Sequence, residues 1–247
     1  MTTLLLFLVQ FASASTCLEL WSQRPLQLLE STQCFLELAP SIQGEERLAA
    51  LETAAAAATW IPGRTEKWMT SPSQNAEERL AFITLGEQIT EKIRAEFPNS
   101  AQASYWSSVF QSQRAREDDQ DAVIPTHTMK ALKEIKARLR KTIEIDPSIH
   151  GYGAQRVLGI IYDALPGVVG GSKKLAEEYL SKAYAQAPRF SANALYYGKF
   201  LSIHKRQDEA NKVLKDLMEL EPKAFNENRI PETTLDREDA KQFYKNP

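Results

Sequence analysis

The residues best suited to metal binding or nucleophilic catalysis are few and widely spaced in this chain of 247 residues. The three histidines, His127, His150 and His204, do not form an H-x-x-x-H or similar ligand pair. No serine lies in the G-x-S-x-G pattern that exposes a nucleophile between a strand and a helix. The sequence therefore predicts no metal site, no cofactor and no enzymatic activity.

The two cysteines offer redox chemistry instead. Cys17 and Cys34 lie 17 residues apart on two apolar segments. In an oxidising compartment a disulfide would join these segments into a helical hairpin, and we favour this pairing. In a reducing cytosol the same residues would be two small buried side chains.

The compartment depends on the amino-terminal segment. Leu4 to Ala14 (LLLFLVQFASA) is too short to span a bilayer, which needs about 20 residues, but it has the form of a signal-peptide core followed by an A-x-A site. We predict a signal peptide over residues 1–14, cleavage after Ala14, and a periplasmic or secreted protein. A buried first helix is the alternative. Lipoprotein anchoring at Cys17 is disfavoured because Ala14-Ser15-Thr16 match a lipobox poorly.

A glycine-rich segment from Gly167 to Lys173 resembles a phosphate-binding loop only superficially. Its spacing differs from a Walker A motif, and the preceding segment is predicted to be helical. We interpret Ser172 as a helix N-cap that follows a left-handed glycine turn. The alternative is an anion held at that helix start beside Lys173 and Lys174.

Net charge argues against a polyanionic partner. The formal net charge is −2, so no overall attraction to nucleic acid or to an anionic membrane is expected. The one basic run, KALKEIKARLRK from Lys130 to Lys141, carries a narrow apolar stripe at helical spacing. We interpret it as a helix with a solvated outer face, and a binding patch is the alternative.

Composition predicts the elements that must position these residues. Thirty alanines and 27 leucines stand against seven valines, a balance that favours helices over sheets. Predicted helices cover 44–60, 76–97, 101–116 and 130–145, and the charged segment 114–121 is predicted to be a loop. The fold class is therefore all-α.

Prolines divide the helical region into units of similar length. Pro98, Pro147, Pro188 and Pro222 each follow a predicted helix, and the last interval is 34 residues. A period of 34 is that of the tetratricopeptide repeat (TPR), a helix–turn–helix unit. In the last unit the small residues Gly198 and Ala210 allow the two helices to approach closely.

The preceding units match the repeat less completely. In the unit that ends at Pro188, the repeat positions are occupied by Leu158, Gly159, Tyr162 and Ala176. The unit that ends at Pro147 is degenerate, with its first helix expected around Trp106 and a long insertion after it. The sequence predicts a TPR-like array of antiparallel hairpins, an α-solenoid, over 99–222, irregular helices over 15–98, and a polar linker with a capping helix over 223–247. The capping helix is predicted to run from Leu235 to Tyr244.

The segment from Asp146 to Ala176 adds a narrower likeness. Its pattern R-x-L-G…Y…L-P-G…G-G-x-x-x-A resembles the T-component family of TRAP transporters. That resemblance implies a periplasmic, all-helical protein that pairs with a solute-binding protein and forms oligomers. It covers residues 76–222.

The TPR likeness also implies which residues face the concave side of the array. These are Arg156, Ile160 and Asp163 in one unit and Leu195, Lys199 and Ser202 in the next. Arg156 is suited to bidentate binding of a carboxylate, with Lys199 as a second charge. The alternative is a structural salt bridge between Arg156 and Asp163 or a glutamate. Tyrosines and Trp106 are interpreted as core packing.

Three functions remain open at this point. We favour a non-enzymatic interaction scaffold for a protein or peptide, with a TRAP-type solute-binding protein as the candidate partner. A small-molecule carboxylate binder and a cytosolic assembly cofactor are the alternatives. No nucleic-acid partner and no transmembrane segment of the mature chain are expected, and a homo-oligomer is compatible with the sequence.

Overall fold

The computed structural model describes residues 13–23, 28–59, 76–119 and 126–245, and every regular element in these ranges is helical. The all-α class predicted from composition is therefore confirmed. The helices of the described residues are α1 (Ala14–Ser22), α2 (Leu28–Leu38), α3 (Gly44–Ala58), α4 (Ala76–Glu96), α5 (Ala101–Asp118), α6 (Thr126–Ile145), α7 (Ile149–Ala164), α8 (Lys173–Gln186), α9 (Ser191–Ile203), α10 (Gln207–Glu219), α11 (Pro222–Phe225) and α12 (Ile230–Ala240). None of these helices has both the length and the apolar character to cross a membrane.

Prolines end the helices where the sequence predicted. Helices α4, α6 and α8 each stop two residues before a proline, at Pro98, Pro147 and Pro188. The proline ring disfavours helical backbone in the residue before it, so each helix closes at that point. The following helix then starts from a new cap. Ser172 Oγ accepts a 3.2 Å hydrogen bond from the Leu175 N–H, which confirms its predicted N-cap role.

Consecutive helices pack against each other, α5 on α6, α7 on α8, and α9 on α10. Glycines set two of these contacts. A Cβ at Gly159 would lie 2.5 Å from Leu180 Cγ, and a Cβ at Gly198 would lie 2.4 Å from Leu214 Cγ. These positions therefore require glycine for the helices to approach as closely as they do. The other residues at predicted repeat positions are buried: Leu158, Tyr162, Ala176 and Ala210.

The structure corrects the predicted loop at 114–121. Helix α5 continues to Asp118 because its charged side chains bind α4. Arg114 pairs with Glu87 at 2.7 Å, and Glu117 pairs with Arg79 at 2.8 Å. Both partners of the second pair are buried, so residues 114–118 are not a solvated loop, and residues 120 and 121 of the predicted loop lie outside the described part of the chain.

The predicted long insertion between the helices of this unit is also wrong. Only residues 119–125 separate α5 from α6. The carboxylate of Asp119 accepts hydrogen bonds from the backbone N–H groups of His127 and Thr128, at 3.1 and 2.6 Å. The end of α5 therefore caps the start of α6.

The carboxy-terminal region begins its helix earlier than predicted. A polar linker was expected up to residue 234, but α12 starts at Ile230 with Pro231 in its first turn. Proline favours this position because its missing N–H has no partner there in any helix. Helix α12 packs on α9 and α10, which places Ala240 in the core and covers that end of the described helices.

At the other end, Cys17 of α1 and Cys34 of α2 form a disulfide with their Cα atoms 5.4 Å apart. Both residues are buried. Of the predicted signal peptide, residues 1–12 lie outside the described part of the chain. Ser13 is the N-cap of α1 and Ala14 its first residue.

Candidate functional site

A cavity of about 850 Å³ lies between the helices, within the size range of small-molecule sites. Its walls come mainly from α3, α5, α7 and α9, the first members of successive helix pairs. Helix α12 adds acidic side chains at one side. Apolar walls are formed by side chains such as Val109, Ile160 and Leu195.

Arg156 is the central charged group of this wall. Its side chain is only 6% exposed, and Nη1 donates to Oδ1 of Asn193 at 2.6 Å and to the Gly151 carbonyl at 3.1 Å. The guanidinium also lies 4.8 Å from the ring centre of Phe190. In the part of the chain that the structure describes, no carboxylate comes within ion-pair distance of Arg156. This buried cation is therefore held by neutral groups alone.

Asn193 fixes Arg156 in place. Its Nδ2 lies within hydrogen-bond distance of three backbone carbonyl oxygens, Gly151 at 3.0 Å, Ala183 at 3.0 Å and Ala187 at 3.1 Å. The Asn193 side chain is 1% exposed. These carbonyls belong to α7 and to the end of α8, and they fix the orientation of the Asn193 amide. The amide oxygen in turn holds the guanidinium of Arg156 in place.

The backbone beside Arg156 is left-handed over three successive residues. His150, Gly151 and Tyr152 have φ angles of 49°, 60° and 60°. For the two residues that carry a Cβ, this conformation costs about 1–2 kcal/mol each. Gly151 is required here on a second ground, because a Cβ would lie 2.0 Å from the Phe190 ring. The strained turn presents its carbonyl to Arg156 and Asn193.

Aromatic rings surround His150 at the cavity wall. The imidazole centre lies 5.7 Å from Tyr105, 5.3 Å from Trp106 and 5.5 Å from Phe190. Arg229 adds a second guanidinium, 4.1 Å from the centre of Phe190. These rings supply flat apolar surface for a ligand, and cations lie against one of them.

The protonation states in the cavity follow from burial. Burial lowers the pKa of His150 well below its usual 6.5, and the positive charges of Arg229 and Arg156 lower it further. Burial likewise raises the pKa of the Tyr105 hydroxyl. At neutral pH both side chains are therefore uncharged, and the buried positive charge belongs to Arg156.

Two uncharged lining residues each have a buried polar atom without a hydrogen-bond partner among the described residues. These atoms are the indole Nε1 of Trp106, a donor, and Oε1 of Gln113, an acceptor. Their side chains are 1% and 6% exposed. Native structures leave few such groups unsatisfied, so both atoms are available for a hydrogen bond to a molecule in the cavity.

Of the six predicted concave residues, Ile160 and Leu195 line the cavity, and the four polar ones divide into two pairs. Arg156 and Lys199 line the cavity, and Lys199 Nζ lies 5.6 Å from the centre of the Phe243 ring. Asp163 lies outside the cavity lining and pairs with His204 at 2.8 Å. Ser202 Oγ lies 3.1 Å from Oε1 of Gln207. The alternative of a salt bridge between Arg156 and Asp163 does not form, since Arg156 binds Asn193 and Asp163 binds His204.

Sequence reasoning missed His150 as a lining residue. A left-handed turn inside a helical segment has a weak sequence signal, and the pair Gly151 and Gly153 was its only trace. Tyr105 and Trp106 were predicted to be core residues; they are buried and also form the cavity wall. Among the described residues, no cluster of three or more histidine, cysteine or acidic side chains is arranged to hold a metal ion.

A search against family models and against curated proteins finds no match to this chain. The TPR assignment and the narrower likeness to TRAP T-components therefore stay predictions.

Proposed function

We propose that this protein is a non-enzymatic binding protein with a TPR-like array of helix pairs, and that its cavity holds a small molecule with a carboxylate and an apolar or aromatic body. The observation that carries the proposal is Arg156. A buried guanidinium bound only to neutral groups favours an anionic ligand, because a bidentate carboxylate would stabilise its charge.

The remaining walls fit the same kind of ligand. The cavity is lined by four cationic and four anionic side chains, so its overall charge does not select an anion. The position of Arg156 favours an anion instead, because Arg156 is the cation of this set that contacts Phe190, Asn193 and the strained turn together. The free indole N–H of Trp106 and the free carbonyl oxygen of Gln113 are suited to further polar groups of the ligand.

The proposal is tested by native mass spectrometry of the purified protein, followed by titration calorimetry with the acid that it carries or with a panel of aromatic and aliphatic carboxylates. Arg156→Gln is expected to lower the affinity about tenfold to a hundredfold, the value of a charge-assisted hydrogen bond. The matched control is Arg206→Gln, because Arg206 pairs with Glu177 and Glu209 outside the cavity. Equal affinity of the two variants contradicts the proposal.

A protein or peptide ligand is the second candidate, and the extent of the cavity favours it. The lining residues run from Trp21 in α1 and Glu52 in α3 to Phe243 near the carboxy terminus. An extended peptide is therefore able to contact most of the array. Such binding is consistent with the predicted interaction scaffold, whose candidate partner is a TRAP-type solute-binding protein. Crosslinking in the native host and identification of the captured protein distinguish this candidate from a free small acid.

Export is part of the proposal, and the disulfide supports it. A buried Cys17–Cys34 bridge persists in oxidising compartments, which favours a periplasmic or secreted protein over a cytosolic assembly cofactor. In this bonded form the sulfur of Cys17 is not available for lipid attachment. Amino-terminal sequencing of the mature protein tests this point: Ser15 as first residue supports export, and an intact Met1 contradicts it.

A further inference from the structure

A second surface of the molecule combines positive charge with exposed apolar side chains. Helix α6 and the turn at Gly167–Val169 enclose a shallow groove of about 500 Å³, separate in character from the aromatic cavity. Its lining consists of Met129, Leu132, Lys133, Lys136, Arg140, Val168 and Val169. We name these seven residues the α6 groove.

The apolar residues of the α6 groove are unusually exposed. Val168 has 95% of its surface accessible, the largest value among the exposed large apolar residues of the described chain, and Met129 is 43% exposed. Single exposed apolar side chains are common on soluble proteins. Here, however, Val168 stands at the tip of a turn and shares one groove with Met129 and three cations.

The cations of the α6 groove lack acidic partners. Lys133, Lys136 and Arg140 form no ion pair with any carboxylate of the described residues. Lys173 and Lys174, exposed in the first turn of α8 a few residues beyond Val168, form none either. The positive end of the α8 helix dipole adds to the same field. The net charge of −2 for the whole chain therefore conceals a local excess of positive charge.

Two of these cations are held in place by neutral contacts. Lys136 Nζ lies 5.2 Å from the centre of the Tyr162 ring. It is also close to Gly170, since a Cβ built on that glycine would lie 3.4 Å from Nζ. Arg140 Nη2 donates to the Tyr162 hydroxyl at 2.6 Å. Lys136 and Arg140 are therefore both in contact with Tyr162 of the neighbouring helix α7.

We propose that the α6 groove docks on the surface of an anionic lipid bilayer, with the Val168 tip in the headgroup region and the lysines against lipid phosphates. A protruding apolar tip needs no complementary pocket in a bilayer, whereas a protein partner would have to supply one. Basic side chains around an apolar tip match the two forces of peripheral membrane binding, apolar burial and attraction to anionic lipid. A solvated outer face of α6, the interpretation from the sequence, does not explain why the apolar side chain of Val168 is almost fully exposed beside it.

Vesicle sedimentation of the full chain tests the proposal. We expect binding to vesicles of phosphatidylcholine with phosphatidylglycerol, weak binding to phosphatidylcholine alone, and loss of binding at high salt. The double variant Lys133→Glu/Lys173→Glu reverses two exposed charges, and glutamate suits the first turn of α8. It is expected to weaken binding to the anionic vesicles at least tenfold.

The matched control is Lys212→Glu/Lys215→Glu on α10, which changes the charge equally at exposed positions and should retain binding. A dye on Val168→Cys reports insertion of the tip, because Cys17 and Cys34 are disulfide-bonded and leave no other thiol. Its emission should shift to the blue only with anionic vesicles. The proposal is overturned if wild type does not bind anionic vesicles, or if both double variants lose binding equally. It is also overturned if wild type binds soluble polyglutamate but not vesicles, because the partner of the α6 groove would then be an acidic protein.

Discussion

Arg156 Nη1 donates a 2.6 Å hydrogen bond to Asn193 Oδ1 and thereby joins α7 to α9 across 37 residues of sequence. The contact is buried, and it places a buried cation with neutral hydrogen-bond partners at the wall of the cavity. Asn193 in turn holds three backbone carbonyls. The same few atoms therefore connect the packing of the helix pairs with the proposed binding of a carboxylate.

Replacement of Asn193 by alanine should destabilise the fold strongly. Asn193→Ala removes both the amide N–H donors that bind the carbonyls at the ends of α7 and α8 and the buried acceptor of Arg156 Nη1, which predicts a loss of about 2–4 kcal/mol in the free energy of unfolding. Urea denaturation measures it. Asn211→Ala is the control, because Asn211 binds the exposed Lys245 carbonyl and should cost less than about 1 kcal/mol. Equal losses in the two variants would count against the role of Asn193.

Acid should destabilise the protein through His150. Burial, together with Arg229 and Arg156, holds the pKa of His150 below 6.5, while the unfolded chain titrates near 6.5. As pH falls below about 6.5 the unfolded state binds the proton first, so the contribution of neutral His150 to stability decreases until the pH reaches its folded pKa. Above pH 6.5 this contribution is fully present.

The check is the urea midpoint of unfolding at pH 7 and pH 5. His150→Asn keeps a residue that tolerates the left-handed backbone, and it should lose less stability than wild type between these pH values. Tyr105 and Glu52, the other titratable groups near the ring cluster, remain in the variant. His127→Asn is the control, because His127 is largely exposed and should leave the pH dependence as in wild type. If His150→Asn shows the same acid loss as wild type, this assignment fails.

The close approach of α9 and α10 should not tolerate a side chain at Gly198. Gly198→Val directs a branched side chain at Leu214, which is fully buried, and is expected to cost about 1–3 kcal/mol by overpacking. The control is Gly167→Val, since no atom lies within 4 Å of a Cβ at Gly167. Thermal melting should separate the two variants by several degrees. Coincident melting curves would show that α9 and α10 can move apart without loss.

Removal of the disulfide should lower stability at the amino-terminal end. Cys17→Ser/Cys34→Ser opens a closed loop with a sequence separation of 17, which predicts a loss of about 3 kcal/mol from loop entropy. Wild type should show a similar loss in the presence of a reductant, while the double variant should not respond to it. Urea curves with and without reductant measure both effects. A double variant as stable as oxidised wild type would contradict this expectation.

Local sequence signals predicted the helices and their ends. Pro98, Pro147 and Pro188 stop helices through a steric effect on the adjacent residue, and Gly159 and Gly198 allow close packing through the absence of a side chain. Such effects act within a few residues of the sequence or within one helix pair. They can therefore be predicted without knowledge of the rest of the fold.

Contacts between distant residues could not be predicted in this way. The Asp163–His204 pair spans 41 residues, and the Arg79–Glu117 pair that keeps the end of α5 helical spans 38. Many acidic and basic residues were equally plausible partners, and only the packed arrangement of helices selects among them. The same limit applies to Arg156, because its hydrogen-bond partner Asn193 lies 37 residues away and no local pattern indicates this pair.

Leu132 lines both the aromatic cavity and the α6 groove. A ligand that shifts this side chain at one site therefore changes the free energy of binding at the other site. If both proposed sites are occupied, thermodynamic linkage requires the effect to be reciprocal, so that a carboxylate that weakens bilayer docking is itself released more readily at the bilayer. The shared leucine is thus a physical route by which ligand release and contact with a bilayer can influence each other.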